Sequence, residues 1–325
     1  MLPSLPSPRA DTHELADFAE LLAIDKGSAS AREIVGYLNQ LDDNQDNIGC
    51  EDNEAETIDG MDEVMGELDR RIKACGTGSP FTLHLAGSVL RHDASLQDGR
   101  ALIYRYLLLA TRLNMTESKK HAGLDGTALF EELSAEVVRN YLGGRARSLV
   151  FGTAVRGGFS TRVSDLCRQL CEGGDFQNPD TASVDENDGG LDTVSWIPFS
   201  DRSRGQLIVF GQCKTGTHWQ EHTGRLRPSD FTKLWMSDPP VIDPLRAFFI
   251  AESADQGHWR KYITYAGLLF DRCRLVDFCG TIPQNLLERI RRWTEAAFAT
   301  LNVSESSRRK TKTESRKDVS RKSPR

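Results

Sequence analysis

Apolar positions near the start of the chain recur at helical spacing, with Leu15, Phe18 and Leu22 on one face. A second helix is predicted from the capping box Ser30-x-x-Glu33, ahead of Ile34 and Leu38. The acidic, polar run Asp42–Asn53 reads as a loop, and helical spacing resumes from Thr57 to Lys73 through Ile58, Met61, Val64, Met65, Leu68 and Ile72. Gly76-Thr-Gly-Ser-Pro80 interrupts it; Phe81–Leu90 and a strongly apolar helix over Gly99–Leu113 come after. Residues 1–115 therefore predict an all-helical N-terminal domain that senses a signal, docks on a protein partner or a second copy, or restrains the C-terminal domain. His84 and His92 are expected on helix surfaces.

The pattern changes across Asn114–Gly126. A helix over Thr127–Leu142 stops at Gly143-Gly144, where glycine favours a helix end. A short apolar segment, Ser148–Thr153, and a helix around Val163–Cys171 come next, then a loop over Gly173–Gly190 rich in Gly, Asp and Asn. Two strand-like runs, Leu191–Phe199 and Gln206–Cys213, flank the polar turn Ser200–Gly205. Beyond Pro239-Pro240, strands are predicted at Leu245–Ala251 and Gly267–Phe270, with Arg274–Phe278 completing or following the latter, and a final amphipathic helix at Pro283–Leu301. Residues 116–302 thus predict an α/β (α+β) domain.

Composition narrows the classes. The richest apolar runs, Leu207–Phe210 and Ala247–Ala251, are strand-sized, and Met1–Thr12 is Pro- and Ser-rich without an apolar core, so neither a membrane span nor a signal peptide is expected. A cytoplasmic location without membrane contact is the resulting expectation. Seven scattered cysteines lack the paired spacing of a zinc site and read as free thiols. Charge is uneven: residues 303–325 hold nine Lys or Arg against Glu305, Glu314 and Asp318, a net +6, so with −6 overall the body carries −12. A basic, Ser-rich tail of this kind is expected to be disordered, either reaching a polyanion or only keeping the chain soluble.

The chemistry-bearing stretch is Asp188-Gly-Gly-Leu-Asp192 followed by Gly211-Gln-Cys-Lys-Thr-Gly216. Strand side chains alternate, so Gln212 and Lys214 share a face and Cys213 takes the other. The predicted hairpin centres near position 202, and 192 and 212 lie symmetrically about it. Asp192, Gln212 and Lys214 should then meet at one end of a sheet. Hard divalent cations take oxygen ligands and need only one or two carboxylates. Asp192, the Gln212 amide oxygen and the Cys213 carbonyl would supply them, and Lys214 would offset charge on a phosphate. Singly, an Asp after two glycines reads as a turn residue and a strand-end Lys as a solvent-facing gatekeeper. A Gln inside an apolar strand has no such bland role, because a buried amide needs partners.

Gly-Gly-Leu-Asp with Gln-Cys-Lys about twenty residues on resembles the Mrr-type branch of the PD-(D/E)XK restriction-endonuclease-like nucleases, which often has Gln where relatives have Glu. The resemblance implies an αβββαβ core, Mg²⁺ (with Mn²⁺ as substitute), DNA as partner and phosphodiester hydrolysis, commonly in defence against foreign DNA. It also implies a carboxylate from the helix before the first strand, in a Phe-Glu pair. Phe130-Glu131 matches, so Glu131 joins Asp192, Gln212 and Lys214 as a catalytic residue and Asp192, Gln212 and Cys213 as a metal ligand. Glu132 and Glu136 are fallbacks. The interval Gly143–Gly190 is longer than that core requires and implies an inserted helix. A non-catalytic adaptor with the same fold and an RNA-cleaving toxin are the competing classes. After the motif, His218 and His222 could touch phosphate or face solvent, Trp219 and Trp235 could fill the core or stack on a base, and Arg225 and Arg227 could contact phosphate.

Overall fold

The computed structural model describes residues 6, 10–42, 53–96, 98–152, 158–179 and 189–301. Asp188 and the basic tail 303–325 lie outside them, as do most of the acidic loop after Asp42 and residues 180–188 of the Gly-rich loop. The architecture is mixed α/β. In the N-terminal half, helices α1 (Thr12–Lys26), α2 (Ala31–Asp42), α3 (Asn53–Cys75) and α4 (Gly99–Arg112) surround short strands β1 (Ser28–Ser30), β2 (Phe81–His84) and β3 (Val89–His92). A small hairpin, β4 (Lys120–His121) with β5 (Leu124–Asp125), leads into α5 (Gly126–Leu142) and β6 (Arg147–Val150). Then come α6 (Phe159–Leu170), β7 (Gly173–Phe176), β8 (Thr193–Ile197), β9 (Leu207–Lys214), α7 (Pro228–Trp235) and β10 (Met236–Asp238). The chain continues through β11 (Leu245–Ile250), α8 (Trp259–Ala266), β12 (Leu268–Phe270), α9 (Arg272–Asp277) and a last helix, α10, over 284–301.

Three expectations need correction. The N-terminal half is not all-helical: β1, β3 and β2 form an antiparallel sheet in which Leu90 lies opposite both Ala29 and Leu83. His84 and His92 therefore sit on strands, not helices. Phe81–His92 holds two four-residue strands joined by a turn in which Leu85, Ala86 and Gly87 are all at positive φ. The loop expected from Gly173 begins instead with β7, paired with β10; Arg274–Phe278 follows β12 rather than completing it, as part of α9 and its end, capped by the Asp271 carboxylate on the Arg274 N–H at 3.1 Å.

The main sheet runs β12-β11-β9-β8-β6. β8 runs antiparallel to both β6 and β9, and β11 and β12 continue parallel to β9. Alternation assigns its faces. Val209, Cys213, Ala247 and Phe249 face α5 and share one core with Phe18, Leu107, Val137, Leu275 and Trp293, so this core crosses the boundary expected at 115/116. Val194, Trp196, Ile208 and Phe210 face α6 and α7, while Phe248 and Ile250 pack with Trp219. The inserted helix expected between Gly143 and Gly190 is α6.

A buried ionic network binds the two halves. Asp17 takes Arg71 at 2.6 Å, Arg112 at 2.6 Å and Arg272 at 2.7 Å, while Glu20 takes Arg71 at 3.3 Å, Arg272 at 3.2 Å and the Tyr104 hydroxyl at 2.6 Å. Burial alone would raise the Asp17 carboxyl, but the guanidinium groups of Arg272, Arg112 and Arg71 hold it well below the usual carboxylate range.

Candidate active site

The hairpin register meets the sequence expectation. Thr193 pairs with Gly211 and Val194 with Phe210, and Asp192, just before β8, lies beside the Gly211–Cys213 stretch of β9. Asp192 is locked there by its backbone. Its N–H donates to the Gly211 carbonyl at 2.9 Å, and its carbonyl accepts from Phe151 and Gly152 at 2.7 and 3.1 Å. Its carboxylate reaches across to β9 and accepts the Cys213 N–H at 2.7 Å.

Glu131 arrives from α5. That helix starts at Asp125, whose side chain accepts the Thr127 N–H at 2.9 Å, and buries Leu129, Phe130, Leu133, Val137 and Val138. Glu131 is left half-buried at its sheetward edge, against Gly152 just beyond β6. A methyl group at Gly152 would come within 2.9 Å of the Glu131 carboxyl carbon, so only glycine lets this carboxylate approach the strand end beside Asp192. Burial pushes the Cys213 thiol up well above its ordinary value, and the nearby charges of Asp192 and Glu131 push it further. The fallback carboxylates are engaged elsewhere. Glu132 pairs with Arg289 of α10 at 2.8 Å, and Glu136 with Arg139 at 2.9 Å.

Gln212 lies on the opposite face of β9 from the Cys213 side chain, as alternation requires, and is 1% exposed. Its amide is roofed by Gly190, at φ +80°, where a methyl group would come within 2.9 Å of the Gln212 nitrogen and 3.3 Å of the Arg225 side chain. The side-chain oxygen of Gln212 has no hydrogen-bond partner among the described residues. A buried amide oxygen left this way costs on the order of 1–3 kcal/mol, which a ligand would recover. Arg225 is exposed beside it and has no ion pair among the described residues.

Lys214 is half-buried at the end of β9 and opens into a cavity of about 510 Å³. Arg112, Asn114, Thr127, His218 and His222 also line it. His222 is half-buried beside Lys214, whereas His218 lines the same cavity but is exposed to solvent. Arg112 could not be anticipated from the sequence, since it comes from α4 and is brought in by tertiary packing alone. Trp219 and Trp235 belong to the core: Trp219 donates its ring N–H to Glu252 at 2.7 Å, and Trp235 stacks on Phe176 with centroids 6.2 Å apart. Arg227 is exposed and 3.7 Å from Asp230.

The oxygen donors suit a hard divalent cation: two half-buried carboxylates, a buried amide oxygen in want of a partner and the adjoining Cys213 carbonyl. Among the described residues no three His, Cys, Asp or Glu are grouped as a metal cluster, so such a site would depend on the amide and on water. Also among the described residues, no helix is long and apolar enough to cross a membrane. Five of the cysteines are buried free thiols and Cys171 is an exposed one. Compared with models of known families, with curated proteins and with solved structures, the chain matches none.

Proposed function

We propose that the chain is a metal-dependent nuclease that hydrolyses phosphodiester bonds in DNA. One observation carries the reading: the Asp192 carboxylate accepts the Cys213 N–H at 2.7 Å, next in the chain to a buried Gln212 whose amide oxygen has no partner among the described residues, with Lys214 two positions further along β9. With α6, β7 and β10 taken as insertions, the succession α5, β6, β8, β9, α7, β11, with β11 parallel to β9, follows the αβββαβ order that the PD-(D/E)XK resemblance implies and supports the reading.

In this reading Glu131, Asp192, the Gln212 amide and the Cys213 carbonyl hold Mg²⁺. The bound ion supplies Lewis acidity toward the scissile phosphate. The protein's own groups do the rest. Lys214 places a positive charge beside the phosphate, where charge builds during attack. The Cys213 N–H fixes one oxygen of Asp192, so the carboxylate presents the other in a set direction. Arg225, exposed above Gln212, is placed to meet a phosphate oxygen.

The test is plasmid cleavage by the purified full chain in Mg²⁺, with single-stranded RNA as a parallel substrate. Wild type should nick or linearise plasmid, and Asp192→Asn and Lys214→Ala should not. Plasmid left intact by a folded wild type would overturn the reading in favour of a binding module, and cleavage confined to RNA would reassign the substrate.

A further inference from the structure

A second charged surface lies at the far end of the β8/β9 hairpin. Where β6 begins and β8 ends, Arg145, Arg147, Arg168 and Arg202 line a cavity of about 500 Å³ together with Phe199 and Cys171. None of the described residues lining it is Asp or Glu. This is unexpected in a body carrying −12.

The arginines differ in how far they are neutralised. Arg168 pairs with Asp165 at 2.8 Å, and Arg145 donates to the Ser200 hydroxyl at 2.9 Å. Arg147 and Arg202 are exposed and meet no carboxylate within ion-pair distance among the described residues. Arg202 is also held at φ +60° in a turn closed by its N–H on the Phe199 carbonyl at 3.1 Å. A bulky side chain seldom adopts that conformation, so the turn sets Arg202 at the cavity edge at some backbone cost. Phe199 is 50% exposed beside these cations. Neither the core nor the sheet uses its ring, and an aromatic face among guanidinium groups is the combination that binds a nucleic-acid strand by stacking and phosphate contact.

We propose that this arginine cavity is an accessory nucleic-acid site that grips the phosphate backbone away from the point of cleavage. The choice of nucleic acid over other polyanions rests on the nuclease reading. Spacing agrees with it. From Asp192 to Pro198 the strand advances six residues, about 20 Å at roughly 3.3 Å each. That is about six base steps of duplex at about 3.4 Å per step. β8 and β9 are themselves covered by α5 on one face and by α6 and α7 on the other, so a strand that meets Lys214 and Arg225 at one end and the arginine cavity at the other passes over those helices. The contact would set register on the substrate without reading its sequence.

Binding is measured without cleavage, by fluorescence anisotropy of a 30-base-pair duplex in EDTA, with the full chain as wild type, Arg147→Gln/Arg202→Gln and Lys214→Ala. The double variant alters two exposed side chains, and circular dichroism checks its fold. It should bind about tenfold more weakly at 0.1 M salt, and the slope of log affinity against log salt should fall by about 1.8, for two lost phosphate contacts. A second readout needs no variant. Cys171 lines the same cavity and is exposed, so duplex should slow its alkylation by maleimide, monitored by peptide mass spectrometry, at least fivefold. An unchanged affinity and salt slope in the double variant, or Cys171 alkylated equally fast with and without duplex, would overturn the accessory site. Those outcomes leave plasmid cleavage unaffected, whereas tight binding with Cys171 protected but no cleavage would overturn only the nuclease reading.

Discussion

Asp17, Glu20, Arg71 and Arg272 are sealed from water and satisfied by one another, whereas Glu131, Asp192 and Lys214 stand half-exposed around an amide whose oxygen has no partner among the described residues. Both regions are built from the same kinds of side chain. In the first, charges cancel and the arrangement fixes how α1, α3, α4 and α9 meet. In the second, ligating capacity is left over. Buried ion pairs contribute little net stability compared with an apolar packing but are costly to break. Surplus donors at a strand end near a cavity cost stability and are retained where a ligand recovers the loss. Arg112 joins the regions: its guanidinium pairs with Asp17 at 2.6 Å and also lines the cavity beside Lys214.

The contrast predicts its largest effect when one partner is removed from the sealed network. Arg272→Met leaves the buried Asp17 and Glu20 carboxylates one cation short and should destabilise the fold by about 3–5 kcal/mol, read from urea unfolding. If the loss were below about 1 kcal/mol, the network would not be holding the halves together. Lys214→Ala is the counterpart in the open site. Cleavage should fall by about 100- to 1000-fold while the unfolding midpoint stays near wild type.

A subtler variant separates position from chemistry. Gly152→Ala removes no charge, but its methyl group would displace the Glu131 carboxylate. The obstruction is the end of a flexible side chain, so the cost in stability should be under about 1 kcal/mol. Cleavage should still fall about 10- to 100-fold, as expected when a reacting constellation shifts by about an ångström. Full activity in Gly152→Ala would remove Glu131 from the site.

Glu252, beside the network, extends the contrast to pH. Burial and the nearby Asp17 charge raise its carboxyl from an ordinary 4.5 to about 7, against the Trp219 hydrogen bond and the charges of Arg112 and Arg272. The folded state therefore binds a proton that the unfolded chain has already lost between these values. Stability should fall as pH rises from about 4.5 to 7, with the full cost, on the order of 3 kcal/mol, present above pH 7. Asp17 acts in the opposite sense: its depressed carboxyl contributes stability above about pH 4 that is lost on acidification. Glu252→Gln should flatten the decline between pH 5 and 7 and raise the melting temperature at pH 8; an unchanged profile would show that Glu252 is not the group responsible. Smallest of all should be Glu132→Gln. Its half-exposed pair with Arg289 is worth about 0–1 kcal/mol, and cleavage should not change.

How much of this was legible in the sequence depends on range. The hairpin register was readable because 192 and 212 are symmetric about one turn and strand alternation is local. The capping box was equally local, and the Glu33 N–H does meet the Ser30 hydroxyl at 3.1 Å. The small N-terminal sheet was missed because four-residue strands carry too little period to distinguish from helix. The buried network was invisible for a different reason. Asp17, Arg71 and Arg272 are far apart in sequence, and a charged residue predicts solvent unless its partners are known. Gly152 and Arg112 acquire their roles only from what packs against them.

The most direct test is cation binding at the strand end, monitored by the electron spin resonance of Mn²⁺ titrated into the full-length chain with Mg²⁺ as competitor. The account predicts one Mn²⁺ per chain, displaced by Mg²⁺ and bound at least tenfold more weakly by Asp192→Asn. Equal binding by wild type and Asp192→Asn, or none by either, would contradict it.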